Sequence, residues 1–257
     1  MSVKAGDERR RQILDHARGT GHIGVTELAD RLAVASETVR RDLKVLEDHG
    51  LIRRTHGGAY PVESAGFESS MDRRAGSLVA EKHRIAEAAV AALGDAETVF
   101  VDEGYTPQLI AERLAVVERP LTVVTSSLAA AGSLAANSRH TTILLGGRVR
   151  GRTMGIVDHW ATSMLTGLVI DLAVLGANGL SREHGLTTPD PAVAAVKQTA
   201  ARVSRRRMFV GVHTKFGVAS FCRFAEIADF ELLVTDSGLP AYEAHRYSVM
   251  GPQVVRV

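Results

Sequence analysis

One cysteine, Cys222, stands in 257 residues, so no disulfide can form within the chain and nothing calls for an oxidising compartment. Long apolar runs are missing as well. The first residues have no signal core, and charges such as Arg139 and Arg148 interrupt the later apolar stretches short of a bilayer span. A cytoplasmic chain with no membrane partner is expected. Charge of one sign is absent too: the formal net charge is +2, and residues 1–61 hold eleven Lys/Arg against nine Asp/Glu. That balance argues against a non-specific nucleic-acid coat and for a local basic patch. The ten histidines fall at no metal-ligand spacing such as His-x-x-x-His, so neither a metal nor a cofactor is expected. What is present, 45% hydrophobic and 23% charged residues, is the make-up of one or two globular domains.

The stretch from Val25 to Tyr60 is the most informative. Val25, Leu28, Ala29 and Leu32 recur at helical spacing, and after a break at Val34 and Ala35, Ser36 occupies an expected helix N-cap. Val39, Leu43 and Leu46 then form the buried stripe of a second helix, with Gly50 as its C-cap. Leu51 to His56 runs through Gly57-Gly58 into Ala59-Tyr60, a hairpin with a glycine turn. A helix over Asp7 to Arg18 buttresses the pair, with Met1 to Gly6 frayed. The pattern is a winged helix-turn-helix.

Its charges point to double-stranded DNA. Ser36 and Thr38 bring hydroxyls to the start of the second helix, Glu37, Arg40, Arg41 and Lys44 lie off its apolar stripe, and Arg53, Arg54 and His56 sit on the hairpin. No carboxylate falls between Asp48 and Glu63. A helix so placed in a major groove reads base edges while the wing holds phosphates.

Residues 62–79, punctuated by Pro61, Gly66 and Gly76, read as a linker. Residues 80–257 read as an effector-binding and oligomerisation domain of α/β class. Glu81 to Leu93 is helical; strands follow at Thr98–Val101, Leu121–Val124, Thr142–Leu145, Leu168–Leu175, Met208–Val212 and Leu232–Thr235. Helices alternate with them at Pro107–Leu114, Leu128–Ala136, Asp158–Leu165, Ala192–Val203 and Ala241–Tyr247. That rhythm predicts a mostly parallel, Rossmann-like sheet. Arg205-Arg206-Arg207, ahead of its strand, reads as a solvated run, and Trp160 as core or interface.

Ligands of such sheets gather at the carboxyl ends of the strands. Five polar, glycine-bearing loops fall there: Asp102-Glu103-Gly104-Tyr105-Thr106, Thr125-Ser126-Ser127, Gly146-Gly147-Arg148, Gly176-Ala177-Asn178-Gly179 and His213-Thr214-Lys215. Glycines permit close backbone approach, hydroxyls and amides hold oxyanions, and Lys215 supplies charge.

Arg9-Arg10-Arg11-Gln12-Ile13-Leu14, Ser36 to Leu43 and Leu51 to Ala59 resemble the DNA-binding head of DeoR-family bacterial transcription regulators. Thr122 to Ser127, Leu145-Gly146-Gly147, Gly176 to Leu180, Gly185 to Asp190, Val196-Lys197 and Lys215-Phe216-Gly217 resemble the DeoR-type effector domain. The resemblance implies a repressor that senses a phosphorylated sugar or related small carbohydrate. It further implies a second domain of ribose phosphate isomerase-like fold, with Asp102, Gly104, Thr106, Ser127, Gly147, Lys197 and Lys215 around the effector. A homodimer or homotetramer is expected, because one head covers only a half-site.

This chain departs from the family pattern twice. Its first loop carries Glu103 and Tyr105 where the family has small hydroxyl residues, and Val212-His213-Thr214 precedes Lys215 where the family has an aspartate and serines. An altered effector, or compensating charge from Arg148, Arg150 or Arg152, follows. The alternative, an isomerase-like enzyme bearing a DNA-binding head, needs a positioned carboxylate base. At the matching place stands Asn178, whose amide cannot act as one; Asp102, Glu103 and Asp190 are the remaining candidate bases, and no enzyme is expected.

Overall fold

The computed structural model describes residues 3–20, 22–49, 51–55, 57–62, 68, 71–136 and 139–257. The chain divides into two compact units, residues 1–63 with 72–77, and residues 64–71 with 78–257.

In the first unit α1 (Val3–Thr20), β1 (Ile23–Gly24), α2 (Val25–Leu32), α3 (Ser36–Asp48), β2 (Ile52–Thr55) and β3 (Gly58–Pro61) follow in order. Ile13, Ala17, Leu28, Val39, Leu43, Leu46 and Ile52 bury one shared core, the convergence that the helical spacing predicted. The three strands pair antiparallel in the order β1-β3-β2. A side chain at Gly58 would meet the Ile23 carbonyl oxygen at 2.3 Å, so only glycine lets β3 pass this close to β1. Two expectations are corrected here. Residues 3–6 are helical rather than frayed, and Ser36 is the first residue of α3, not its cap. The N-cap is Ala35, whose methyl group cannot accept a hydrogen bond; its carbonyl accepts from the Thr38 N–H at 2.9 Å instead. Gly50, the expected C-cap, lies outside the described residues.

The segment read as a linker contains α4 (Met71–Ala75). In the second unit come α5 (Val79–Ala91), β4 (Thr98–Val101), α6 (Tyr105–Leu114), β5 (Thr122–Thr125), α7 (Leu128–Ala135), β6 (Thr141–Leu144), β7 (Arg148–Val149), β8 (Ile156–Val157) and α8 (His159–Thr166). They are followed by β9 (Ile170–Leu175), β10 (Gly179–Ser181), β11 (Gly185–Thr188), α9 (Pro191–Val203), β12 (Ser204–Val210), β13 (Cys222–Ala225), β14 (Leu232–Thr235), α10 (Ala241–Ser248) and β15 (Gln253–Arg256). The main sheet has seven strands in the order β15-β14-β12-β9-β4-β5-β6, every neighbouring pair parallel.

Alternate residues of each strand serve opposite faces. Phe100, Val124, Ala173, Phe209 and Leu233 pack with Leu165 of α8, Val193 and Val196 of α9 and Tyr247 of α10. Val99, Val101, Val123, Val174, Val210 and Val234 pack with Ile85 of α5, Leu109 of α6 and Leu134 of α7. Both faces are covered, as a parallel sheet requires. All its carboxyl strand ends therefore lie on one edge.

The Arg205-Arg206-Arg207 run lies inside β12 rather than before it. Its outer end tolerates arginine because Arg205 meets Asp171 at 3.2 Å, Arg206 meets Glu231 at 2.8 Å, and Arg207 donates to the carbonyls of Ala201, Ser204 and Asp229. Trp160 is not core: it stands 69% exposed on α8.

Candidate functional site

The first candidate site is the outer face of α3 with the wing. Glu37, Arg40, Arg41, Lys44 and Arg54 are exposed, while Ser36, Thr38 and Arg53 are half-buried. Arg40 is steered by Glu37 at 3.3 Å. Arg54 is less bare than its sequence neighbourhood suggested, because Glu47 reaches across from α3, accepting from the Arg54 backbone N–H at 3.0 Å with its other oxygen 3.9 Å from the guanidinium. His56 lies outside the described residues.

Asp42, which the residue pattern alone did not single out, fixes the presentation of α3. Buried at 3% exposure, it accepts from Arg9 Nε at 2.5 Å and Arg10 Nη1 at 3.3 Å. Arg9 and Arg10 of α1 are thus spent on holding α3.

The second candidate site is the carboxyl edge of the parallel sheet. Asp102, directly after β4, is wholly buried. Its Oδ2 accepts from the Lys197 ammonium and from the Gly176 N–H at 2.9 Å, while Lys197 also donates to the Gly176 carbonyl at 3.2 Å. Three elements, β4, β9 and α9, therefore meet at one ion pair. Asp102 Oδ1 and Ser126 Oγ are buried with no hydrogen-bond partner. Ser127 caps α7, accepting from the Ala130 N–H at 3.2 Å. Gly104 caps α6 at φ 118, a backbone state that favours glycine. Thr106 is buried at 8% exposure, and Lys82 Nζ stands 5.5 Å from the centroid of the Tyr105 ring.

The arginines near this edge are already employed. Arg150, not Arg148 or Arg152, is the buried centre: it meets Glu68 at 2.6 Å and Asp190 at 3.0 Å and donates to Thr153 Oγ1 at 3.2 Å. Burial works against its charge, but the hydrogen bond and charge of Glu68, with the charges of Asp190 and Glu103, outweigh it and hold the guanidinium above its ordinary value. Arg152 donates to the Glu68 carbonyl. Arg148 is 62% exposed and 3.9 Å from Asp158. Asp190 is also the N-cap of α9, the helix that carries Lys197. Glu68 is a contribution that the sequence did not disclose, and Asp190, a candidate base by sequence, serves here as a partner of Arg150.

The remaining loops take different roles. Gly146, Gly147 and Arg148, the last of them the first residue of β7, are exposed rather than part of the buried lining. Asn178 Oδ1 accepts from Thr188 Oγ1 at 3.0 Å, within the small antiparallel sheet β10-β11-β13. His213 and Lys215 bound a single 3-10 turn after β12, and Lys215 is half-buried.

His213 Nδ1 lies 2.6 Å from Asp236 Oδ2, and the His213 N–H donates to Oδ1 at 2.7 Å. Burial alone would push the Asp236 carboxyl up. Bonds from the His213 ring and backbone, the His213 charge and the Gly238 N–H hold it below the ordinary carboxylate value instead. This contribution to stability is full above the ordinary value of about 3.9 and is lost as pH falls through the depressed one. Urea unfolding measured from pH 6 downward should show Asp236→Asn flattening the acid limb; an unchanged acid limb would contradict the assignment.

Among the described residues no group of three or more His, Cys, Asp or Glu is placed to hold a metal ion, and no helix is long and apolar enough to cross a membrane.

Residues 9–65 match the family profile of the DeoR-like helix-turn-helix domain, and residues 77–237 match that of the DeoR C terminal sensor domain. The chain is 34% identical over 249 residues to the HTH-type transcriptional regulator GlpR of Haloferax volcanii, covering 96% of each. It is 30% identical over 233 residues to the glycerol-3-phosphate regulon repressor of Escherichia coli strain K12, covering 91% of this chain and 92% of that one. Among solved structures, ribose 5-phosphate isomerase A of Methanocaldococcus jannaschii is 15% identical with a TM-score of 0.38, over 52% of this chain and 53% of that one. A winged helix-turn-helix followed by a covered parallel sheet, matched by both profiles and by full-length relatives, has one reading: the chain belongs to the DeoR family of DNA-binding transcriptional regulators.

Proposed function

We propose that this regulator is a ligand-controlled repressor of an operon for carbohydrate or polyol use, binding its operator as a homodimer or homotetramer. The observation that carries the reading is the pairing of two built surfaces in one chain: an α3 face with Arg40, Arg41 and Lys44 left to solvent, and a strand-end edge lined by buried polar atoms without partners. The name of the Escherichia coli relative, a repressor of a glycerol-3-phosphate regulon, supports a small carbohydrate as effector. Catalysis is disfavoured because Asp102 is committed to Lys197 and Gly176, leaving no carboxylate set up as a free base.

Effector control requires that ligand distinguish two arrangements of the protein. Glu68, in the 64–71 segment that follows residues 1–63, is gripped by Arg150 and Arg152, and Arg150 also touches the cap of α9. The grip offers a route from the ligand edge to the DNA-binding unit. Nuclease protection of the DNA upstream of the gene, with and without candidate carbohydrates, tests both halves of the proposal; protection absent at every salt concentration would end it. A Glu68→Gln variant should keep operator and ligand affinity while the effect of ligand on operator binding shrinks several-fold. A response equal to that of the unaltered protein would remove this route.

A further inference from the structure

Resting on the homo-oligomeric reading above, we propose that the β6 end of the seven-stranded sheet is the face on which a second copy of this chain docks, with Trp160 and Met164 of α8 at its centre. β6 is a terminal strand of the sheet. It pairs with β5 on one side and, among the described residues, with no strand on the other. The N–H and C=O groups along its outer side are a template for a further strand.

Soluble sheets guard such an edge with charge, proline or a cover. The opposite edge is guarded: β15 carries Arg256, and α10, which packs beside it, carries Glu243 and Arg246. The β6 end has no such guard. β6 (Thr141–Leu144), α7 (Leu128–Ala135) and α8 (His159–Thr166) contain no Asp, Glu, Lys, Arg or Pro, in a chain of which 23% is charged. α7 packs on one face of the sheet and α8 on the other. Met164 Sδ accepts from the Gly146 N–H at 3.0 Å, which ties α8 to the chain just beyond β6. The strand and its two helices thus form one uncharged end. Next to it, Arg148 and Asp158, 3.9 Å apart, supply one charge of each sign, the balance that a self-complementary contact needs.

Trp160 and Met164 lie one turn apart on the same side of α8 and are 69% and 42% exposed. His159, Ser163 and Thr166 are the other exposed residues of the helix. An aromatic and a methionine with no charge among them are the composition of an interface core. The occupant is a second copy because identical uncharged edges match each other strand for strand and are always present at equal concentration. A two-fold axis between them also supplies the symmetry that paired half-sites of an operator require.

Trp160 is the single tryptophan of the chain, so its fluorescence reports on this face alone. Sedimentation velocity and tryptophan emission on the full-length protein test the docking together. In the oligomer the emission should be blue-shifted and shielded from acrylamide; dilution that releases subunits, or Met164→Lys at a fixed concentration, should shift it to the red and expose it. A substitution enters a two-fold contact twice, so Trp160→Glu should weaken self-association by roughly a hundredfold. Tyr242→Glu, at an exposed position of α10, should leave association unchanged, and melting temperatures establish that all three variants fold. An oligomer whose tryptophan stays open to acrylamide, or one that neither α8 substitution weakens, would overturn the proposal and leave the homo-oligomeric reading standing. A protein that sediments as a monomer at every concentration, with and without operator DNA, would end both.

Discussion

Lys197→Met should lower the melting temperature of the sensor unit by about 10 °C and abolish the response to ligand. The reason lies in what is left behind. Asp102 is wholly buried, and without the ammonium its carboxylate keeps only the Gly176 N–H as donor. Breaking a buried pair from one side typically costs about 3–5 kcal/mol, and a unit of this size loses roughly 2–4 °C per kcal/mol. The double variant Asp102→Asn with Lys197→Met removes both charges and should recover most of the stability without recovering the response. If the single variant melted like the unaltered protein, the ion pair would not be the joint between β4, β9 and α9 that its contacts describe.

The second large effect belongs to DNA. Arg41→Ala should weaken operator binding by roughly 1–3 kcal/mol, about five- to 150-fold, and relax the preference at one base pair, since a forked guanidinium on an exposed helix face discriminates bases. Arg54→Ala should behave differently. Held partly by Glu47, it is proposed as a phosphate contact, so all sequences should weaken alike and the salt dependence should become shallower. Unaltered operator affinity in both variants, measured at two salt concentrations, would contradict the docking of α3.

Much of this architecture is written locally. The strands at Thr98–Val101 and Leu232–Thr235 coincide with their β-branched runs because a strand buried on both faces needs apolar residues throughout. The head was legible for the matching reason, a helical stripe with one core to fill. Among the elements that escaped are β10, β11 and β13, where Gly179-Leu180-Ser181, Gly185–Thr188 and Cys222–Ala225 are short, mix polar with apolar residues and pair across distant segments. The same distance hid Glu68 from Arg150 and Asp236 from His213. Loop position told which residues reach the edge; it could not tell that Arg150 would be the buried arginine and Arg148 the exposed one, because that is decided by which carboxylates arrive from elsewhere.

The all-parallel sheet also sets an order of assembly. Neighbouring helices and a short hairpin make up most of the reading head, whereas β4 pairs with β9 across the stretch of chain that holds β5, β6, β7 and β8. Distant pairings close slowly and local ones quickly. Refolding followed by two probes would separate into a fast head phase and a slow sheet phase. On the ribosome, where the amino-terminal part emerges first, a finished reading head precedes the apparatus that governs it, and a chain cut short in synthesis would carry the grip without the release.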